Sequence, residues 1–160
     1  MKNNAHKKVI VVFFLGLVLM AVLEMSLIWF FERTPFGGWW QGLLALTLTL
    51  VGAALVIWSV QTLSALGKGT PAPMAATQRL VRAGPYRYSR NPMTLGAGLF
   101  YLGLAALAGS WIVFLLVLLV FISLLTFIYI HETKELAERF GVEYLEYRKE
   151  VPFLFPRIPR

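Results

Sequence analysis

Four long apolar runs dominate the chain, and a run long enough to cross a bilayer leaves few folds open. A spanning helix needs roughly 20 largely apolar residues, because inside hydrocarbon each backbone N–H and C=O must find its partner within the protein. Residues 9–31, 39–66 and 111–130 meet that length, and residues 92–108 fall a little short of it. Trp39 and Trp40 open the second run as interfacial anchors. Only Ala108, Gly109 and Ser110 separate the last two runs, so a tight helical hairpin is expected there. The fold class read from this pattern is all-α: an integral membrane bundle of about four transmembrane helices, with a cytoplasmic amphipathic helix at the C-terminus. Residues 1–160 form a single domain. Residues 1–66 carry the first two spans, 67–91 a cytoplasmic loop, 92–130 the hairpin and 131–160 a cytoplasmic tail.

Composition agrees. Hydrophobic residues make up 58% of the 160 and charged residues 14%, too few to cover a soluble surface of this size. Cysteine is absent, which excludes disulfides, thiolate metal sites and a cysteine nucleophile. The N-terminal "MKNNAHKK" before an apolar run resembles the start of a signal peptide. The run is too long for that and no small-residue cleavage pattern follows, so it reads as a retained helix.

Lysine and arginine set the orientation. Every one of the 15 basic residues except Arg33 falls in the N-terminal tail, the 67–91 loop or the C-terminal tail. Those three segments are expected on the cytoplasmic side of a multi-pass protein, in the inner membrane, with both termini inside. The net charge of +7 then points to anionic lipid rather than nucleic acid.

The loop opens with "GKGTPAP", which cannot be helical, and "TQRLVRAGPYRY" reads as extended backbone. In the tail, Leu136, Phe140, Tyr144 and Tyr147 follow helical spacing on one face, and Glu135 and Arg139 can pair at i,i+4. Gly141 marks a bend, and Pro152, Pro156 and Pro159 end the helix.

The candidate chemistry gathers at one depth. In "SRNPM", Pro92 suits the first turn of a helix and Asn91 or Ser89 its cap, so the positive helix end and Arg90 offer an anion site; a plain cap beside a cytoplasmic arginine fits the same residues. Gly96 and Gly98, one turn on, admit a flat ligand or a neighbouring helix. His131 and Glu132 end the fourth run, as a functional pair or as ordinary interfacial polar residues. The hairpin brings Arg90, Asn91, Gly96, His131 and Glu132 to the same membrane face. Glu24 lies within the first run, either as a functional carboxylate or as one neutralised by a proton or a neighbouring helix. No His/Glu set has metal-ligand spacing.

These residues match a known pattern. "GPYRYSRNPMTLG" resembles the "GPYRYxRHPMYxG" signature of the isoprenylcysteine carboxyl methyltransferase and phospholipid methyltransferase group of integral membrane enzymes. The tail "HETKELAERFGVEYLEYRKEVPFLFPR" is similar to that group's acidic pair followed by "ERFGxEYxEYxxxVPxFxPR". The resemblance runs from about residue 71 to 160. It implies S-adenosylmethionine bound at the cytoplasmic face and a methyl group passed to a lipophilic acceptor, prenylcysteine-like or lipid. By position it implies cofactor-binding roles for Tyr88, Arg90, Asn91, Pro92, Gly96, Gly98, His131 and Glu132, with Arg90 and Glu132 as the catalytic residues. Departures from the pattern include Asn91 in place of His, Thr94 in place of Tyr and Thr133 in place of the second Glu. Two other readings stand beside this one, a four-helix exporter using Glu24 and a catalytically inactive member of the group.

Overall fold

Trp39 begins a helix that runs without interruption to Leu66, and this is α1 of the computed structural model, which describes residue 26, residues 39–67 and residues 78–157. After a single 3-10 turn at Gly84–Arg87 come α2, Pro92–Leu107, and α3, Trp111–Glu150. Among the described residues there is no β-strand. The run at residues 9–31, with Glu24, lies outside the described residues.

Two helices are long and apolar enough to cross a membrane: α1, and α3 over Trp111–His131. Only 17% and 11% of their most apolar windows is buried. The core helix of a soluble protein would be covered, whereas here Leu43, Leu46, Leu50 and Ile57 of α1 and Leu115, Leu119 and Ile122 of α3 face outward. Helix α2 has 16 residues and therefore spans about 24 Å, short of the roughly 30 Å hydrocarbon core.

Small residues bring α1 and α2 together. Gly96 and Gly103 of α2, seven residues apart, face Ala45, Thr49, Gly52 and Val56 of α1, spaced at i, i+4, i+7 and i+11. A methyl group built on Gly52 would lie 2.6 Å from the Gly96 carbonyl oxygen, and one on Gly103 2.7 Å from the Thr49 nitrogen. The backbones thus touch directly, which is how helices gain dispersion energy where lipid removes the hydrophobic drive. At the far end the buried Gln41 side chain donates to the Ala106 carbonyl, 3.0 Å away, near the α2 C-terminus. The α2–α3 hairpin closes over Ala105, Val113 and Val117, and the Ser110 hydroxyl caps α3 by accepting from the Val113 N–H at 3.4 Å.

Two expectations need correction. The tail is not a separate amphipathic helix: α3 continues from the apolar run through His131 to Glu150, with non-helical geometry only at Gly141 (φ 53, ψ −130). Residues 131–140 contain no glycine or proline, and Lys134, Glu135, Leu136 and Ala137 favour helix, so nothing stops propagation until the kink. The 78–91 segment is also not extended throughout. Ala83 is, but Pro85 fixes φ for the turn that follows, and the Tyr88 and Ser89 N–H groups both bond back to its carbonyl.

Beyond the kink, Tyr144, Tyr147 and Val151 form a second small core with Leu80, Leu136, Ala137 and Phe140. This is the amphipathic face expected from the spacing. It fastens the tail beneath the 78–91 segment, at the end of the bundle where α1 finishes and α2 begins. Glu135 and Arg139 make their i,i+4 pair at 3.2 Å.

Candidate active site

The segment before α2 is held by the last residues of the chain. Past Glu150 the backbone becomes extended at Val151 and turns back against residues 88–91. The Arg90 N–H donates to the Pro152 carbonyl at 2.9 Å, and the Arg157 N–H donates to the Tyr88 carbonyl at 3.0 Å. The Phe153 carbonyl accepts from the Asn91 side-chain amide at 3.2 Å and from the Ser89 hydroxyl at 3.4 Å. Ser89 is 1% exposed, so its hydroxyl has no access to water; the Asn91 N–H donates to it in turn, at 3.2 Å. Residues 151–157 thus form a hook that fixes the entry to α2 through backbone and side chain together.

Asn91 therefore does not cap α2 with its side chain, as expected from the sequence. It stands at the cap position, but no side-chain cap bond forms there, because the amide is engaged by Phe153. Pro92 is buried and starts the helix.

Arg90 is the charged centre of this region. Its Nη1 donates to the Tyr144 hydroxyl at 3.0 Å, and its guanidinium carbon lies 5.7 Å from the centre of the Phe153 ring. The Phe153 ring also meets Tyr129 of α3 edge-on, 5.1 Å between centroids. Arg90 Nε is buried without a hydrogen-bond partner. With Nη1 committed to Tyr144, Nε is a guanidinium donor left without a partner among the described residues.

The other expected site residues are distributed around this centre. Tyr88 precedes it, its side chain 37% exposed and its carbonyl tied to Arg157. Gly96 faces α1, and Gly98 lies beneath the Phe121 ring of α3. His131 is exposed at the end of the spanning part of α3; it stacks on Phe127, 4.3 Å between ring centroids, and its Nδ1 lies 3.1 Å from the Phe127 carbonyl. A carbonyl only accepts, so Nδ1 is the donor in that contact. Glu132 follows on the same helix; its side chain lies outside what the structure describes. The structure joins Arg90 and Asn91 in one network, while among the described residues the His131 ring meets Phe127 of its own helix. Among the described residues no three His, Asp or Glu side chains gather as a metal site.

Beside the network, the Tyr147 hydroxyl donates to the Tyr86 carbonyl at 2.6 Å, under the Arg82 guanidinium 5.6 Å from the ring centre. Burial first, and the neighbouring Tyr86 second, push the Tyr147 hydroxyl far above the ordinary tyrosine range. Arg82 also donates to the Glu143 carbonyl and lies 3.9 Å from its carboxylate.

Sequence reasoning missed Tyr129, Tyr144 and Phe153 as members of the site, and offered Ser89 only as a helix cap. The aromatic and proline spacing of "EYLEYRKEVPFLFPR" carried the signal for Tyr144 and Phe153; nothing local distinguished Tyr129 from other interfacial aromatics.

Comparison with known families matches residues 40–143 to the phospholipid methyltransferase family. The match begins in α1, takes in the 3-10 turn, Arg90, Asn91 and the hairpin, and ends just beyond Gly141. No curated protein and no solved structure matches the chain. With well over half its length matched, and with two helices long and apolar enough to cross a membrane, the chain belongs to the phospholipid methyltransferase family and is a membrane methyltransferase.

Proposed function

We propose that the chain takes its methyl group from S-adenosylmethionine and delivers it, at the cytoplasmic face of a multi-pass protein, to a lipid acceptor that enters sideways from the bilayer. The observation that carries this reading is the Arg90 network: a fixed guanidinium with a buried, unpartnered Nε, beside the N-terminus of α2. That donor fits the carboxylate of the cofactor's amino-acid end. The dipole of α2 adds to the attraction. Bound there, S-adenosylmethionine supplies a methyl group on a sulfonium, open to in-line displacement by a nucleophile.

The chain's part is alignment and charge placement. Arg90 orients one end of the cofactor, and the hook holds Arg90. A protonated acceptor amine must lose its proton before it can attack, and the exposed His131 ring is proposed to take it. Glu132, one residue on, is proposed to assist from the same helix end. Phospholipid amines fit this chemistry and the family. A prenylcysteine-like carboxylate, already ionised, would need no base.

Calorimetric titration with S-adenosylmethionine tests the site. Wild-type protein should bind, and Arg90→Ala should bind more weakly by about 1.5–3 kcal/mol while remaining folded. Unchanged affinity in the variant would move the site elsewhere. Reporter fusions at residues 69 and 160 test the orientation: both should report a cytoplasmic location, and an external signal at either would overturn it.

A further inference from the structure

We infer that Tyr144 and Phe153 are positioning residues for Arg90, and that the C-terminal hook thereby sets the affinity for the cofactor's anionic end; this rests on the reading of Arg90 given above. Both lie beyond the segment matched to the family, which ends at residue 143. They act on different parts of one side chain. The Tyr144 hydroxyl takes Nη1 at 3.0 Å, and the Phe153 ring lies against the guanidinium at 5.7 Å. The Pro152 carbonyl holds the Arg90 backbone at 2.9 Å, so the side chain is fixed at its root as well as its head.

An unrestrained arginine rotates about its long stem and has several donor edges to offer. Engaging Nη1 and setting the guanidinium over the Phe153 ring removes most of that freedom. Nε, buried and without a partner among the described residues, is then held in place before any ligand arrives. Preorganisation of this kind raises affinity by removing an ordering cost from the binding step. Phe153 is itself fixed, by the edge of Tyr129 on its ring and by Ser89 and Asn91 on its carbonyl. The hook therefore links the end of the α3 span to the head of α2 through one aromatic ring. Tyr144 sits in the small core beyond the kink, 2% exposed, so its hydroxyl has little room to move.

The test uses the full chain in detergent, with S-adenosylmethionine as the probe. It compares wild type, Phe153→Leu, Phe153→Trp, Tyr144→Phe, Arg90→Ala and the double variant Arg90→Ala/Phe153→Leu. Phe153→Leu should weaken cofactor binding about five- to tenfold, the scale of a partly desolvated cation–π contact. Tyr144→Phe should weaken it by about threefold to tenfold, the scale of one lost hydrogen bond. Phe153→Trp keeps an aromatic face and should restore most of the loss. KM for the cofactor should rise with kcat nearly unchanged, which a general loss of structure would not produce. The double variant should bind no worse than Arg90→Ala alone, because Phe153 acts only through Arg90. If Arg90→Ala weakens binding but Phe153→Leu and Tyr144→Phe do not, the positioning role is overturned while the site stands. Additive losses in the double variant would also overturn it. If Arg90→Ala itself binds normally, the underlying site reading fails, and this inference with it.

Discussion

At the scale of single residues, two tyrosines three positions apart on α3 do different work. Tyr144 serves Arg90, and Tyr147 closes the small core by donating to the Tyr86 carbonyl. The raised Tyr147 pKa has a definite consequence for stability. The folded state keeps the phenol proton above the pH at which an unfolded tyrosine, with its ordinary pKa of about 10, releases it. The contribution is therefore fully present below about pH 10 and is lost as pH rises beyond that value, because the unfolded state then binds fewer protons than the folded one. Tyr147→Phe should lower stability by about 1 kcal/mol at neutral pH and blunt the alkaline decline, as read from thermal unfolding in detergent between neutral and strongly alkaline buffer. An alkaline decline of the same steepness in the variant would place the titrating group elsewhere. Residue-level reasoning from sequence did less well at Asn91. Its identity predicted a helix cap, and a tertiary partner, the Phe153 carbonyl, took the amide instead. Nothing within a few residues of Asn91 announces a partner that lies over sixty positions away.

At the scale of elements, the apolar runs were legible because a bilayer imposes both length and composition. The predicted second run and α1 share the bounds Trp39–Leu66, and α2 begins at the proline expected to open it. The face made by Leu136, Phe140, Tyr144 and Tyr147 was also legible, since helical spacing survives whatever the helix packs against. The continuity of α3 was not, because the change from apolar to amphipathic pattern at His131 looks like a boundary while the backbone sees no breaker. The kink at Gly141 was legible: its φ of 53 with ψ −130 is a conformation that side-chain-bearing residues avoid. The α1–α2 contact yields the sharpest prediction at this scale. Gly52→Val should strain or part the two helices, because even a single methyl there would sit 2.6 Å from the Gly96 carbonyl. Overpacking of this order costs about 1–3 kcal/mol, seen as a lowered melting temperature in detergent. The same substitution at Gly42, where nothing lies within 4 Å of an added methyl, should leave the melt almost unchanged. Equal melting of the two variants would contradict the close approach.

At the scale of the whole molecule, membership of a phospholipid methyltransferase family and the placement of Arg90 support one account. Two long, outward-apolar helices carry the chain in the membrane, a short third helix packs against the first through small residues, and the extended tail returns to hold the head of that third element. The return of the tail is the part no local pattern could supply. It depends on backbone bonds between residues 88–90 and 152–157, which have no periodicity of their own; the resemblance of both motifs to one family was the available hint. The family match favours methyl transfer over export through Glu24, which lies outside the described residues. The most direct test of the account is transfer of radiolabelled methyl from S-adenosylmethionine in liposomes containing the protein, phosphatidylethanolamine and prenylcysteine analogues. Label should appear in the organic phase with wild-type protein and fall sharply with Arg90→Ala. Label confined to water-soluble products, or no transfer in any fraction while the cofactor binds, would contradict it.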